Sequence, residues 1–360
     1  MDDERVYSKE QAEVSQFKCP SCGSALEFSP EAQKLRCPYC GTEVDIENPA
    51  KVEENAFFGE LNDSDYSNDV EVFRCANCGA LSEKTSADIA TECPYCHKTV
   101  VTEEKDVKGI KPHGVVSFKI TKNEAAKRAK KWLKSRFYAN GKMKKSDFDT
   151  LLKGYYYPCW TFDAETYSTY KGRIGKHVTR TVGSGKNKRT VTETHWRYIS
   201  GDHQDVFDDV VVYSGKDFTD GQIEKVRGFN TNAAEKYDKS YLAGYSALHY
   251  EKDFNESWEE AKRTIKDRIK SSILSGYVYD VVDYLDVNTS YSDKKYKYVL
   301  LPFYVGGYTF KNKSYNVVVN GESGVTYGKF PVSVPKVIMT VIIVAAVIAG
   351  IAYLLATTGG

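Results

Sequence analysis

Catalytic signatures are what this sequence lacks. Only six histidines occur in 360 residues (His97, His113, His177, His195, His203, His249), and they are scattered. Neither H-E-x-x-H nor G-x-S-x-G is present, which removes two familiar hydrolase signatures. Gly185-Lys186 comes nearest to a phosphate-binding loop. It fails, because Arg180 and Asn187 stand where that loop needs Gly and Ser or Thr. The run Asp202, Asp205, Asp208, Asp209 matches no cation cage by its spacing and reads as a solvated loop. The expectation is a protein that is not an enzyme. An N-terminal apolar run is missing too, which argues against a signal peptide and a secreted disulfide framework. Net charge is also lacking, with 50 Lys+Arg against 49 Asp+Glu.

What is present is cysteine in a repeated pattern. Cys19, Cys22, Cys37 and Cys40 form C-P-S-C, fourteen residues, C-P-Y-C. Cys75, Cys78, Cys93 and Cys96 repeat that spacing 56 positions later. Such spacing is that of a four-cysteine zinc ribbon, because two cysteines two residues apart can point into one tight turn around a tetrahedral ion. Gly23, Gly41 and Gly79 follow the second cysteine of three pairs and ease the reversal of the backbone. Pro20, Pro38 and Pro94 stiffen the same turns. Ala25–Phe28 and Lys34–Arg36 read as hairpin arms between the first two pairs. The expectation is two structural Zn2+ ions, one in ribbon 17–48 and one in ribbon 73–102, separated by an acidic linker, 49–72. His97 replaces the glycine of the fourth pair and reads as a surface residue, since four thiolates already close the site. Cys159, the ninth cysteine, sits between Pro158 and Trp160 and reads as a buried structural thiol.

The absence of net charge conceals an asymmetry. Residues 1–110 hold 11 Lys+Arg against 23 Asp+Glu, a net −12, so the remainder carries +13. A domain that grips phosphate backbones relies on a basic patch. The acidic ribbons therefore argue against nucleic acid as partner.

Val337–Ala356 is a run of twenty residues without a charge. At 1.5 Å per residue it spans about 30 Å, the hydrocarbon thickness of a bilayer. Lys329 and Lys336 precede it and only four residues follow, which predicts a tail anchor with the bulk of the chain in the cytoplasm. Between ribbons and anchor, 115–330 reads as an α+β domain. Lys122–Tyr138 has Ala125, Ala129, Trp132, Leu133 and Phe137 on an apolar face and a basic opposite face, read as solvated. Glu256–Ile273 is a second amphipathic helix, with Trp258, Ala261, Ile265, Ile269 and Ile273 on one side. Strands are expected at Tyr155–Phe162, His177–Val182, Arg189–Trp196, Tyr277–Leu285 and Tyr298–Phe310. A hairpin over Tyr308–Gly321 ends in an Asn-Gly turn. Tyr157-Pro158-Cys159-Trp160 and Leu301-Pro302-Phe303-Tyr304 echo one another, suggesting duplicated halves at 115–215 and 250–330.

Paired C-P-x-C-G knuckles, Leu301-Pro302-Phe303-Tyr304, Val319-Asn320-Gly321-Glu322-Ser323-Gly324 and a hydrophobic C-terminus together resemble bacterial TFIIB-type zinc-ribbon membrane proteins. That resemblance implies partners among SPFH (flotillin-like) and phage-shock proteins in membrane-stress responses. The expectation is a non-enzymatic zinc-ribbon adaptor holding protein partners at the membrane. The alternative is a zinc-ribbon nucleic-acid-binding protein in transcription or replication.

Overall fold

Leu26, Phe28 and Leu35 are buried while the charged residues beside them stay outside, the period of two that a half-covered strand requires. They lie on or beside β1 (Glu27–Ser29) and β2 (Lys34–Arg36), which with β3 (Glu43–Val44) form an antiparallel sheet in that order. The structure is a computed structural model. It describes residues 18–46, 50–59, 72–74, 81–83, 90–92, 99–101, 110–141, 148–185, 188–215, 221–311 and 313–358. Strand β4 (Asn55–Ala56) follows, then two antiparallel pairs: β5 (Val72–Arg74) with β6 (Leu81–Glu83), and β7 (Ala90–Glu92) with β8 (Thr99–Val101).

The body is one mixed sheet. After β9 (Gly114–Val115) comes helix α1 (Lys122–Ser135), whose first turn is capped by the Thr121 hydroxyl accepting the Glu124 N–H. Then come β10 (Leu152–Val182), β11 (Arg189–Tyr213), β12 (Glu235–Lys236) and β13 (Ser246–Ala247). Helix α2 (Phe254–Ser275) opens with a capping box formed by Asp253 and Glu256. Strands β14 (Val281–Phe310), β15 (Lys313–Asn320) and β16 (Thr326–Gly328) lead into α3 (Val334–Thr358). The order β11-β10-β14-β15-β16 places β10 and β14 side by side, antiparallel. Tyr157 and Leu301, each preceding a proline, are paired directly across that junction. The two half-segments, helix then long strand then partner strand, thus share one sheet. Their helices cross over: α1 packs beside β15 and β16, and α2 chiefly on β11.

The strands are longer than expected. The separate strands anticipated at 277–285 and 298–310 are one 30-residue strand, and β10 has 31 residues. At ~3.3 Å per residue, each follows a path of about 100 Å. The reason is backing: Phe162, Ala164, Thr166, Ser168 and Ile174 alternate onto the face that α2 covers. From α2 that face receives Phe254, Trp258, Ala261, Ile265, Ile269 and Ile273, all buried. Ile265→Ala is expected to cost about 2–5 kcal/mol of unfolding free energy, read as a shift in the urea midpoint.

Two expectations are corrected. Phe137 is not in the core: α1 ends at Ser135, and Phe137 is exposed beyond it. The Asp-rich run is not a loop but part of β11. Asp209 has a positive φ of 49°, opposite the bulge at Phe162/Ala164 on β10. The described part of the linker, 50–59, is bound to the body. The Val52 N–H bonds Ala234 O at 3.1 Å, β4 pairs with β14 at Lys295 and Tyr296, and Phe57 enters an aromatic box. Ring centroids of Phe254, Trp258 and Tyr296 lie 5.0, 5.1 and 5.8 Å from that of Phe57. The Asn-Gly pair stands at the end of the Tyr308–Gly321 hairpin. The β14–β15 hairpin turns at Lys311, while Asn320 Oδ1 accepts the Glu322 and Ser323 N–H groups in the turn to β16.

Candidate metal centre

The sulfurs of Cys19, Cys22, Cys37 and Cys40 all lie within 4.8 Å of one another. Cys19 Sγ is 3.4 Å from Cys40 Sγ, and Cys22 Sγ is 3.5 Å from Cys37 Sγ. Thiolates at 2.3 Å around a tetrahedral zinc are separated by about 3.8 Å, so the set fits that ion. These spacings are far from a disulfide bond, and all four thiols are free.

Two knuckles with the same local geometry bring them together. In the first, the Gly23 N–H donates to Cys19 O at 2.8 Å and the Cys19 N–H to Ser24 O at 2.7 Å. In the second, Gly41 N–H donates to Cys37 O at 3.0 Å and Cys37 N–H to Thr42 O at 2.8 Å. Both glycines have positive φ, 72° and 76°, a conformation that strains a residue with a Cβ. Cys19 and Cys37 are buried, and Cys22 and Cys40 form the outer edge. The Thr42 hydroxyl, 3.2 Å away, together with the Thr42 N–H, holds the Cys40 thiol down at about 6. At Cys40 that favours the thiolate a metal needs, whereas, against the Cys40 N–H, burial and the Cys22 and Cys40 sulfurs push the Cys37 thiol up to about 11.

The ribbon is docked on the body. The Phe28 N–H bonds Ala243 O at 2.9 Å, and the Phe28 ring lies 5.5 Å from Tyr241. Gln33, at φ 54°, bridges ribbon and body, its Nε2 also donating to Pro30 O within the ribbon at 2.6 Å. Its Nε2 donates to Phe118 O at 2.8 Å, and its Oε1 accepts from Ser117 Oγ at 2.9 Å and Lys119 Nζ at 2.7 Å.

Cys75, Cys78, Cys93 and Cys96, like His97, lie outside the described residues. The strands around them repeat the first ribbon's register at the same offset of 56. Lys18↔Ala25 corresponds to Arg74↔Leu81, Arg36↔Glu43 to Glu92↔Thr99, and Leu35↔Val44 to Thr91↔Val100. Cys159 is fully buried, and burial pushes its thiol well up. A nucleophile would need the reverse.

A second cluster joins Glu54, Asp163 and Asp208, whose carboxylates lie within 4.8 Å of one another. Here lysine supplies the countercharge. Lys297, with a side chain 2% exposed, is 2.9 Å from Asp209 and 3.2 Å from Glu54. It is an internal ion network that ties the strap at Glu54 to the sheet. Sequence reading missed it, and the one available signal was Phe57-Phe58, an apolar pair inside an acidic stretch. Burial, reinforced by Glu54 and Asp209, pushes the Asp163 carboxyl up to about 6 from an ordinary 3.8, against the opposing Asp209 N–H. The folded chain therefore keeps a proton that the unfolded chain releases. Stability should fall as pH rises from 3.8 to about 6 and level off above. Asp163→Asn is expected to flatten that slope, read as the thermal midpoint at the two ends of the window.

At the other end, Val334–Leu354 of α3 is 21 residues long with mean hydropathy 2.8, and none of it is buried. It is long and apolar enough to span a membrane. A four-thiolate cluster on a mixed α+β body with this exposed helix fits a zinc-ribbon membrane protein. Among known proteins, the chain is 26% identical over 332 residues to the Uncharacterized protein YdjG of Bacillus subtilis (strain 168). That alignment covers 90% of this chain and 92% of the relative. No family model matches, and no solved structure matches.

Proposed function

We propose that the protein is a non-enzymatic zinc-ribbon adaptor, tail-anchored through α3, that holds protein partners at the cytoplasmic face of a membrane. The observation that carries this reading is the closed thiolate set. Four cysteines fill a tetrahedral shell, whereas a catalytic zinc keeps one position for water or substrate. The ion bound by Cys19, Cys22, Cys37 and Cys40 is then structural and fixes the docked ribbon. A second ion belongs with Cys75, Cys78, Cys93 and Cys96, a reading supported by the strand register repeated at offset 56. Lys329 and Lys336 before the apolar run favour a cytoplasmic body, where thiols also stay reduced. The likeness to TFIIB-type zinc-ribbon membrane proteins points to SPFH (flotillin-like) or phage-shock proteins as partners in membrane stress.

Crosslinking in intact membranes, then purification of the full chain, tests the adaptor role. A protein should be retained in fixed ratio by the native chain and lost from Cys19→Ser/Cys22→Ser. No protein retained in fixed ratio would sink it.

One observation favours a second reading, nucleic-acid binding. Past the end of α2, the β10–β11 hairpin exposes Lys176, Arg180, Lys188, Arg189 and Arg197, with Glu193 as its one acid. A salt-dependent affinity for duplex DNA or RNA, lost on charge reversal at Arg180 and Arg189, would support it.

A further inference from the structure

We propose that the last two turns of α1, with the segment that follows, form a collar binding the anionic phospholipid headgroups of the membrane that α3 enters. The inference rests on the reading of α3 as a membrane span.

Contacts along the chain set the level of this segment. The segment 320–332 descends from the body to α3, and α1 runs beside it in the same chain direction. Near its start, Lys119 and Ile120 N–H groups bond Gly321 O. Further on, Trp132 packs on Gly328 and Phe330. At the far end the Ser333 N–H bonds Tyr138 O at 2.8 Å, and Ala139 bridges Val332. Lys336 Nζ, in the first turn of α3, donates to Phe137 O at 2.8 Å and Ala139 O at 3.3 Å. The Tyr138 hydroxyl reaches Thr340 Oγ1 at 3.4 Å. Thr340 is three residues into the uncharged run, about 4.5 Å at the helical rise. The C-terminus of α1 therefore sits where α3 leaves the body.

The side chains there suit a headgroup layer. Phe137 and Tyr138 are 56% and 39% exposed. Large aromatics left open on a soluble face gain nothing, whereas at a membrane–water boundary they are favoured. Lys134 and Arg136 are exposed beside them, Lys130 and Lys131 one turn back, and Lys329 lies on the descending segment. With a pitch of 5.4 Å, the α1 cations fall within about 10 Å of the level of Lys336, roughly one screening length. On α1 and the helical turn beside it, among the described residues, acids are few. The one acid on α1 is Glu124, two turns farther from α3 and paired with Arg128 at 2.7 Å, and the neighbouring helical turn adds Asp149. The charge sign and the continuity with α3 select an anionic bilayer over an acidic protein.

The full chain is reconstituted into vesicles of phosphatidylcholine alone and of phosphatidylcholine with phosphatidylglycerol. Acetylation of each lysine amine is then followed by mass spectrometry. Lys130, Lys131 and Lys134 should be labelled about fivefold more slowly in the anionic vesicles, the factor expected for one cation near such a surface. Lys176 and Lys188 on the distant hairpin should not change. In Lys130→Glu/Lys131→Glu the protection of Lys134 should weaken while the chain still floats with both vesicles. Equal labelling in a chain that floats with both overturns the collar alone. A chain that floats with neither overturns the span, and the collar with it.

Discussion

Serine at Cys19 and Cys22 is expected to remove the first zinc ion, unfold residues 18–46 and leave the second ion in place. Structural zinc contributes on the order of 10 kcal/mol to small metal-dependent folds. The apolar side chains buried within this ribbon are chiefly Leu26, Phe28 and Leu35. Three such side chains make too small a core to fold a segment of this length without a metal. The metal must therefore decide whether the ribbon folds. Unfolding it also strips Phe28 from Tyr241 and the Gln33 amide from Phe118 O, so the body loses its docked partner. Zinc content per chain and limited proteolysis of 18–46 read the result. Unchanged zinc would remove the site from these residues, and loss of both ions would make the ribbons interdependent.

Deleting 337–356 is expected to move the protein from the membrane to the soluble fraction. Eleven Ile, Val and Leu residues lie in that run. On an insertion scale of about 0.3–0.6 kcal/mol each, they supply several kcal/mol toward the bilayer. Ala346→Arg, at the midpoint, costs about 2.5–3.5 kcal/mol on the same scale and should weaken insertion without touching the body. Flotation after carbonate washing distinguishes the outcomes. Retention of the deleted protein would mean that another surface carries the attachment.

How much was legible in advance follows the range of each interaction. The knuckles, the apolar run and the buried face of α2 were readable because neighbours within a few residues create them. Trp258, Ala261, Ile265, Ile269 and Ile273 were assigned from spacing alone, and all five are buried. Strand length was not readable. Whether β14 stops or continues for 30 residues depends on β10 and α2 lying alongside, and these are far away in sequence. Phe137 failed for a related reason: helical spacing continued to it, but the backbone bonding to 331–333 ends α1 first.

By itself the sequence determined the first thiolate set and the candidate span, because metal geometry and bilayer thickness impose fixed spacings on a chain. Tertiary structure alone decided the rest. It strapped Glu54 and Phe57, in the acidic linker, to the sheet through Lys297 and an aromatic box. It also set a basic, aromatic helix end beside the start of α3. Both arrangements join residues about 200 or more positions apart, and only packing brings such partners within reach.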